Sequence, residues 1–113
     1  MSRDDIRKLI FSGADLTPLK VDVPEWGCAV WVRRLTGAEG MAAFDIIRLE
    51  DASVRRARFV QLVACDESGA RLFDDDEVEK LPGLSLVALE RVFRAGLDMN
   101  MITKEAADEM GKS

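Results

Sequence analysis

The sequence predicts a mainly α, α+β fold in which about five helices pack on an N-terminal two-stranded antiparallel β-hairpin. Three observations lead to it. Leu19 to Leu35 is the one stretch with a clear two-residue alternation of apolar and polar side chains, the period of a half-buried strand. From Thr36 onward the apolar residues recur three and four apart, the period of a helix. The 113 residues carry no internal repeat and no low-complexity linker, so they read as a single small domain. Within it, residues 1–17 form a helix or arm, 18–35 the hairpin, 36–100 a helical core, and 101–113 a short C-terminal helix and tail.

In the arm, Ser2 is placed to cap a short helix, with Asp4 and Asp5 in the first turn, where the helix dipole favours them. Ile6, Leu9 and Ile10 form its apolar stripe, and Ser12-Gly13-Ala14-Asp15 ends it. The alternative for this segment is an arm that docks on a neighbouring subunit. In the hairpin, Leu19, Val21 and Val23 alternate with Lys20 and Asp22. Pro24-Glu25-Trp26-Gly27 turns the chain, because Pro fixes its own φ and Gly tolerates the left-handed region. Cys28 to Leu35 returns as a second β-rich run centred on Val30, Trp31 and Val32. A hairpin alone is marginal in water, so helices must cover its apolar face.

Thr36-Gly37-Ala38-Glu39 is a capping box that launches a helix to about Glu50, with Met41, Phe44 and Ile47 on one side and Ala42, Ile46 and Leu49 widening the apolar face. Asp51 or Ser53 caps the next helix, polar at Arg55, Arg56 and Arg58 and apolar from Phe59 to Cys65. The arginines read as a solvated face paired with Glu50, Asp51 or the Asp74 cluster, in preference to an anion-binding patch. Asp66-Glu67-Ser68-Gly69 is a turn, and Leu72 and Phe73 tuck under the preceding helix. Asp74 caps a short helix from Asp75 to Leu81, and Pro82-Gly83 ends it. Ser85 then caps a helix with Leu86, Leu89, Phe93 and Leu97 at helical spacing, where Gly96 permits a close approach and Asn100 is the stop. Thr103 to Met110 is the last short helix.

Composition excludes several functions. Hydrophobic residues at 48% and charged residues at 33% are the balance of a folded soluble protein, not a disordered one. A net charge of -5 argues against nucleic acid as the main partner. No apolar run approaches the roughly 20 residues that span a bilayer, and the charged N-terminus is no secretory signal, so a cytoplasmic location is expected. Cys28 and Cys65 are isolated and read as buried small hydrophobes; with no histidine in the chain, neither a metal site nor any other cofactor is expected. The acidic run Asp74 to Glu77 lacks the ligand spacing of a calcium loop. Gly111-Lys112-Ser113 lacks the upstream Gly and following helix of a phosphate loop. Paired carboxylates all fall in caps or turns, so no catalytic residue is assigned and a binding or assembly role is left.

Four motifs in order then carry a resemblance. They are V-x-V-P-E-W-G (Val21 to Gly27), V-R-R-L-T-G-A-E (Val32 to Glu39), D-E-S-G-A-R-L-F (Asp66 to Phe73) and L-D-M-N (Leu97 to Asn100). Together they resemble the tail assembly chaperones of long-tailed, siphovirus-type bacteriophages over about Leu19 to Asn100. The resemblance implies a small, mostly helical protein of the host cytoplasm, absent from the mature virion. It implies binding and solubilising of the tape measure protein and recruitment of major tail protein. It also implies a longer form made by a −1 ribosomal frameshift, for which Gly111-Lys112 is a dipeptide that a slippery codon run can encode.

Adaptable methionines and anchoring tryptophans suit a chaperone of a long client bound by many copies. The contact candidates are Trp26 at the turn, Trp31 in the strand, Arg33 beside it, and Met99, Met101 and Ile102 after the last long helix. Self-association through the hairpin edge or the arm is expected. The rival reading is a small bacterial partner-binding adaptor or regulatory module.

Overall fold

The computed structural model describes residues 1–103, 105, 106 and 109. Alternation in the hairpin decides which side is covered. Strands β1 (Leu19–Val23) and β2 (Cys28–Val32) pair antiparallel, with Val21 opposite Val30 and Lys20 opposite Trp31. Because successive side chains point to opposite faces, Val21, Val23, Val30 and Val32 share the inner face. Lys20, Asp22 and Trp31 share the outer one. The turn is a 3₁₀ segment, Pro24–Trp26, closed by Gly27 at φ 68°.

Four α-helices with defined bounds follow from their caps among the described residues. Helix α1 (Arg3–Phe11) starts in a reciprocal box between Ser2 and Asp5, and α2 (Gly37–Ile47) in one between Thr36 and Glu39. Helix α3 (Ala52–Val63) is capped by Asp51, whose carboxylate accepts from the Ser53 and Val54 N–H groups. Helix α4 (Leu86–Met99) is capped by Ser85. Phe59, Val60 and Val63 of α3 meet Ala88, Leu89 and Val92 of α4 beneath the inner face of the sheet. Each fully buried aliphatic or aromatic side chain here contributes about 1.5–3 kcal/mol. The Phe59 and Phe93 rings meet edge to face at 5.3 Å. Gly96 marks the tightest point: a Cβ there would stand 2.9 Å from the Phe59 ring and 3.0 Å from Val63.

The fold class is the one expected, and the sheet gains a strand. Ala64–Cys65, expected at the end of a helix, turns extended and pairs with β2 as β3 through Trp31–Cys65 and Val32–Ala64. The sheet order is therefore β1-β2-β3. Cys65 is buried, and that burial pushes its thiol pKa up, whereas Cys28 is exposed, contrary to expectation. Helix α2 ends at Ile47, not near Glu50, and buries Ala43 while Met41 and Ala42 face solvent. The helix expected at Asp75 is a 3₁₀ segment, Asp75–Gly83, that runs through Pro82. Leu86 is exposed, and Leu72 is turned out although Phe73 packs on the core. Arg56 pairs with Glu90 of α4, not with the acidic clusters beside it in sequence.

Thr103 accepts from the Ala106 N–H, as a cap of the expected last helix would. The rest of that helix at Lys104, Ala107, Asp108 and Met110, and the Gly111-Lys112-Ser113 end, lie outside the described residues. Among the described residues no helix is long and apolar enough to cross a membrane.

Candidate partner-binding surfaces

The six residues singled out in the sequence fall into three places. Trp26 lies at the turn, half-buried against the core. Its turn is clamped to α4 by a two-pronged ion pair: Arg91 donates to both Glu25 carboxylate oxygens, at 2.6 and 3.0 Å. The Arg91 bond holds the Glu25 carboxyl below the ordinary glutamate range.

Trp31 is half-exposed on the outer face of the sheet, cross-strand from Lys20 and on the side away from the helices. The two tryptophans thus differ: the turn tryptophan packs on the core, and the mid-strand one lies on the outer face. The reason is the pleat. Val30 and Val32 occupy the inner face, so the residue between them must point outward.

Arg33, Met99, Met101 and Ile102 gather at the other end of α4, roughly 13 Å from Arg91 at about 1.5 Å of rise per residue. Arg33 is committed to the fold. Its guanidinium donates to the Leu62 carbonyl and pairs with Glu39. Burial works to raise the Glu39 carboxyl, but bonds from the Thr36 N–H and the Arg33 guanidinium outweigh it and hold its pKa down. Asn100 completes this corner. Its side-chain oxygen accepts from the Leu35 N–H at 2.8 Å, and its amide donates to the Arg33 carbonyl at 3.0 Å and the Gly96 carbonyl at 2.9 Å.

Helix α4 closes in a Schellman motif. The Met101 N–H bonds the Asp98 carbonyl and the Ile102 N–H bonds the Leu97 carbonyl, which requires a left-handed residue between them. Met101 takes that role at φ 56°, a conformation that usually calls for Gly. The motif sends Met101 out to solvent, 85% exposed, and Ile102 into the core. Met99 is half-buried against the core. Ile102 also lines an open groove of about 240 Å³ with Ile47, Arg55, Phe93 and Leu97.

Sequence reasoning missed one exposed apolar surface and named the other, the stripe of α1. Leu84, Leu86 and Val87 cluster exposed around the start of α4, because Ala88 and Leu89 take the buried positions beside them. Helix α1 is exposed along its whole length, including Ile6, Leu9, Ile10 and Phe11, so its stripe is left open among the described residues. A second groove, about 400 Å³, lies between α3 and the Asp75–Gly83 segment, floored by Val54, Ala57, Val78 and Pro82.

No protein-family model matches the chain, and no curated protein matches it in sequence. Among solved structures it is similar to the tail assembly chaperone of bacteriophage HK97, with a TM-score of 0.61 at 20% identity. The match covers 85% of this chain and 97% of that one. The family that the four motifs resemble and the solved structure that the chain matches are of the same kind: the chain has the fold of a phage tail assembly chaperone.

Proposed function

We propose that the protein is a non-enzymatic assembly chaperone of bacteriophage tail morphogenesis, acting in the host cytoplasm and left out of the finished virion. Its client is the tape measure protein, which it binds and keeps soluble, and it recruits major tail protein around that client. The observation that carries this reading is the fold match to the HK97 chaperone over most of both chains. The motif resemblance supports it from the sequence side.

The surfaces suit such work. Trp31 on the open face of the sheet, Met101 held out by its turn, and the Leu84–Val87 cluster give scattered apolar contacts, each weak alone. Many copies along one long client convert weak contacts into avidity. The net charge of -5 keeps coated complexes apart. A frameshifted longer form and self-association belong to the same reading.

The test is co-expression with a tape measure protein, scoring the client's solubility and co-purification. The expected result is a soluble client that comes down with this chain, and loss of that effect in a Trp31→Ala, Met101→Ala double variant. A client that stays insoluble both with this chain and with a frameshift-extended product would overturn the reading in favour of an adaptor.

A further inference from the structure

We infer that α1 of one copy docks in the groove between α3 and the Asp75–Gly83 segment of a second copy, joining copies head to tail. This deepens the self-association in the proposed function, and its test reads mass alone, so it can fail while client binding stands.

The helix is built and directed outward. A reciprocal cap at Ser2 and Asp5 fixes its start, and the nine residues are helical although none of them is buried among the described residues. The tether is fixed too. Gly13 is left-handed, the Thr17 hydroxyl donates to the Ala14 carbonyl at 2.9 Å, and the Thr17 carbonyl accepts from Arg34 at 3.0 Å. The radius of gyration is 15.3 Å, against about 13 Å for a compact chain of this length, as a projecting arm requires. An arm so held meets another molecule before it meets its own body.

Charge then selects the occupant. At about 100° per residue, Ile6, Leu9 and Ile10 form one stripe, with Asp5 beside Leu9 on one flank and Arg3 and Arg7 beside Ile10 on the other. The groove has the matching arrangement. Its apolar floor is rimmed by Arg58 on the α3 side and by Asp75 and Glu79 on the other. Arg58 and Glu79 make no ion pair among the described residues, whereas Asp75 already accepts from Gln61 at 2.8 Å. Laid in one of its two directions, the helix brings Asp5 to Arg58 and its arginines to Glu79; reversed, it meets like charges on both rims. The groove fixes both the partner and its polarity. Because arm and groove are different surfaces, the contact is heterologous and leaves a free arm and a free groove at the ends of every assembly. A nine-residue helix covers less than the roughly 800 Å² per partner of stable complexes, so association is weak and appears only at high concentration.

Sedimentation of the full chain over a wide range of concentration tests this. Wild-type mass is expected to rise with concentration. Ile10→Asp disables the arm and Val54→Glu the groove; both positions are exposed, and each variant alone is expected to stay monomeric with an unchanged circular dichroism spectrum. Mixed in equal amounts, they are expected to form a dimer and stop there, since one retains the groove and the other the arm. Glu79→Arg is expected to weaken association at least tenfold, and adding Arg7→Glu to restore it; both positions are exposed and lie outside the Ser2–Asp5 cap. A wild type that remains monomeric overturns the inference. So does a Val54→Glu protein that associates like wild type, as arm-to-arm pairing or another occupant would give. A mixture that fails to dimerise, or a charge exchange that fails to rescue, overturns it as well.

Discussion

Two single positions carry conformational demands that their side chains barely meet. Gly96 sits where α3 and α4 touch, and Gly96→Ala forces a methyl to within 2.9 Å of the Phe59 ring. Overpacking of this kind costs about 1–3 kcal/mol, and the gain in helix propensity returns up to about 1 kcal/mol of it. A net loss of roughly 1–2 kcal/mol is expected in urea unfolding. Met101 is the reverse case. Its left-handed backbone costs about 1–2 kcal/mol, so Met101→Gly is expected to raise stability by about 0.5 kcal/mol after the flexibility of Gly in the unfolded chain is subtracted. The same change removes an exposed side chain, so a stabler protein that binds the proposed client less well would mark Met101 as a residue kept for contact. The close approach at Gly96 was legible in the sequence, since a Gly in a strongly apolar helix has few other uses. The left-handed turn at Met101 was not, because a Met there contradicts the local preference that sequence reading relies on. The face of Trp31 follows from a simpler rule: a pleated strand with buried valines on both sides leaves the middle residue no choice of face.

Caps and periodicity made most elements readable, because their causes are local. Ser2, Thr36, Asp51 and Ser85 all cap helices where the sequence places them. What could not be read is which element each charged residue would reach. Glu90 is the clearest example. It receives Arg56 from α3 and Arg94 from its own helix, and the Arg56 bond, against the cost of burial, holds its pKa below the ordinary glutamate range. A carboxylate whose pKa is lower in the folded chain favours folding at pH values above its unfolded pKa. That contribution is lost as pH falls from about 4.3 downward through the folded value. Glu39 and Glu25 are shifted the same way, so stability is expected to fall steeply in this acid range. Glu90→Gln is expected to cost roughly 1 kcal/mol at neutral pH, where it weakens charge-assisted bonds, and to flatten the acid limb of the unfolding curve. Equal acid sensitivity in the variant would assign the transition to other carboxylates.

At the scale of the molecule, α4 is pinned to the hairpin at both ends by polar contacts that span most of the chain. Arg91 to Glu25 bridges 66 residues, and Asn100 to Leu35 and Arg33 bridges 65 and 67. The hairpin is complete by Val32, but the cover of its inner face is not complete until the last long helix arrives. During synthesis the valines of that face therefore stay partly uncovered while some seventy further residues emerge, and the sheet becomes a closed structure only after Ile102 has left the ribosome. A protein that would shield another chain from aggregation thus passes through an unshielded state of its own, and a transcript cut short before Asn100 would yield a sticky fragment with no means of closing.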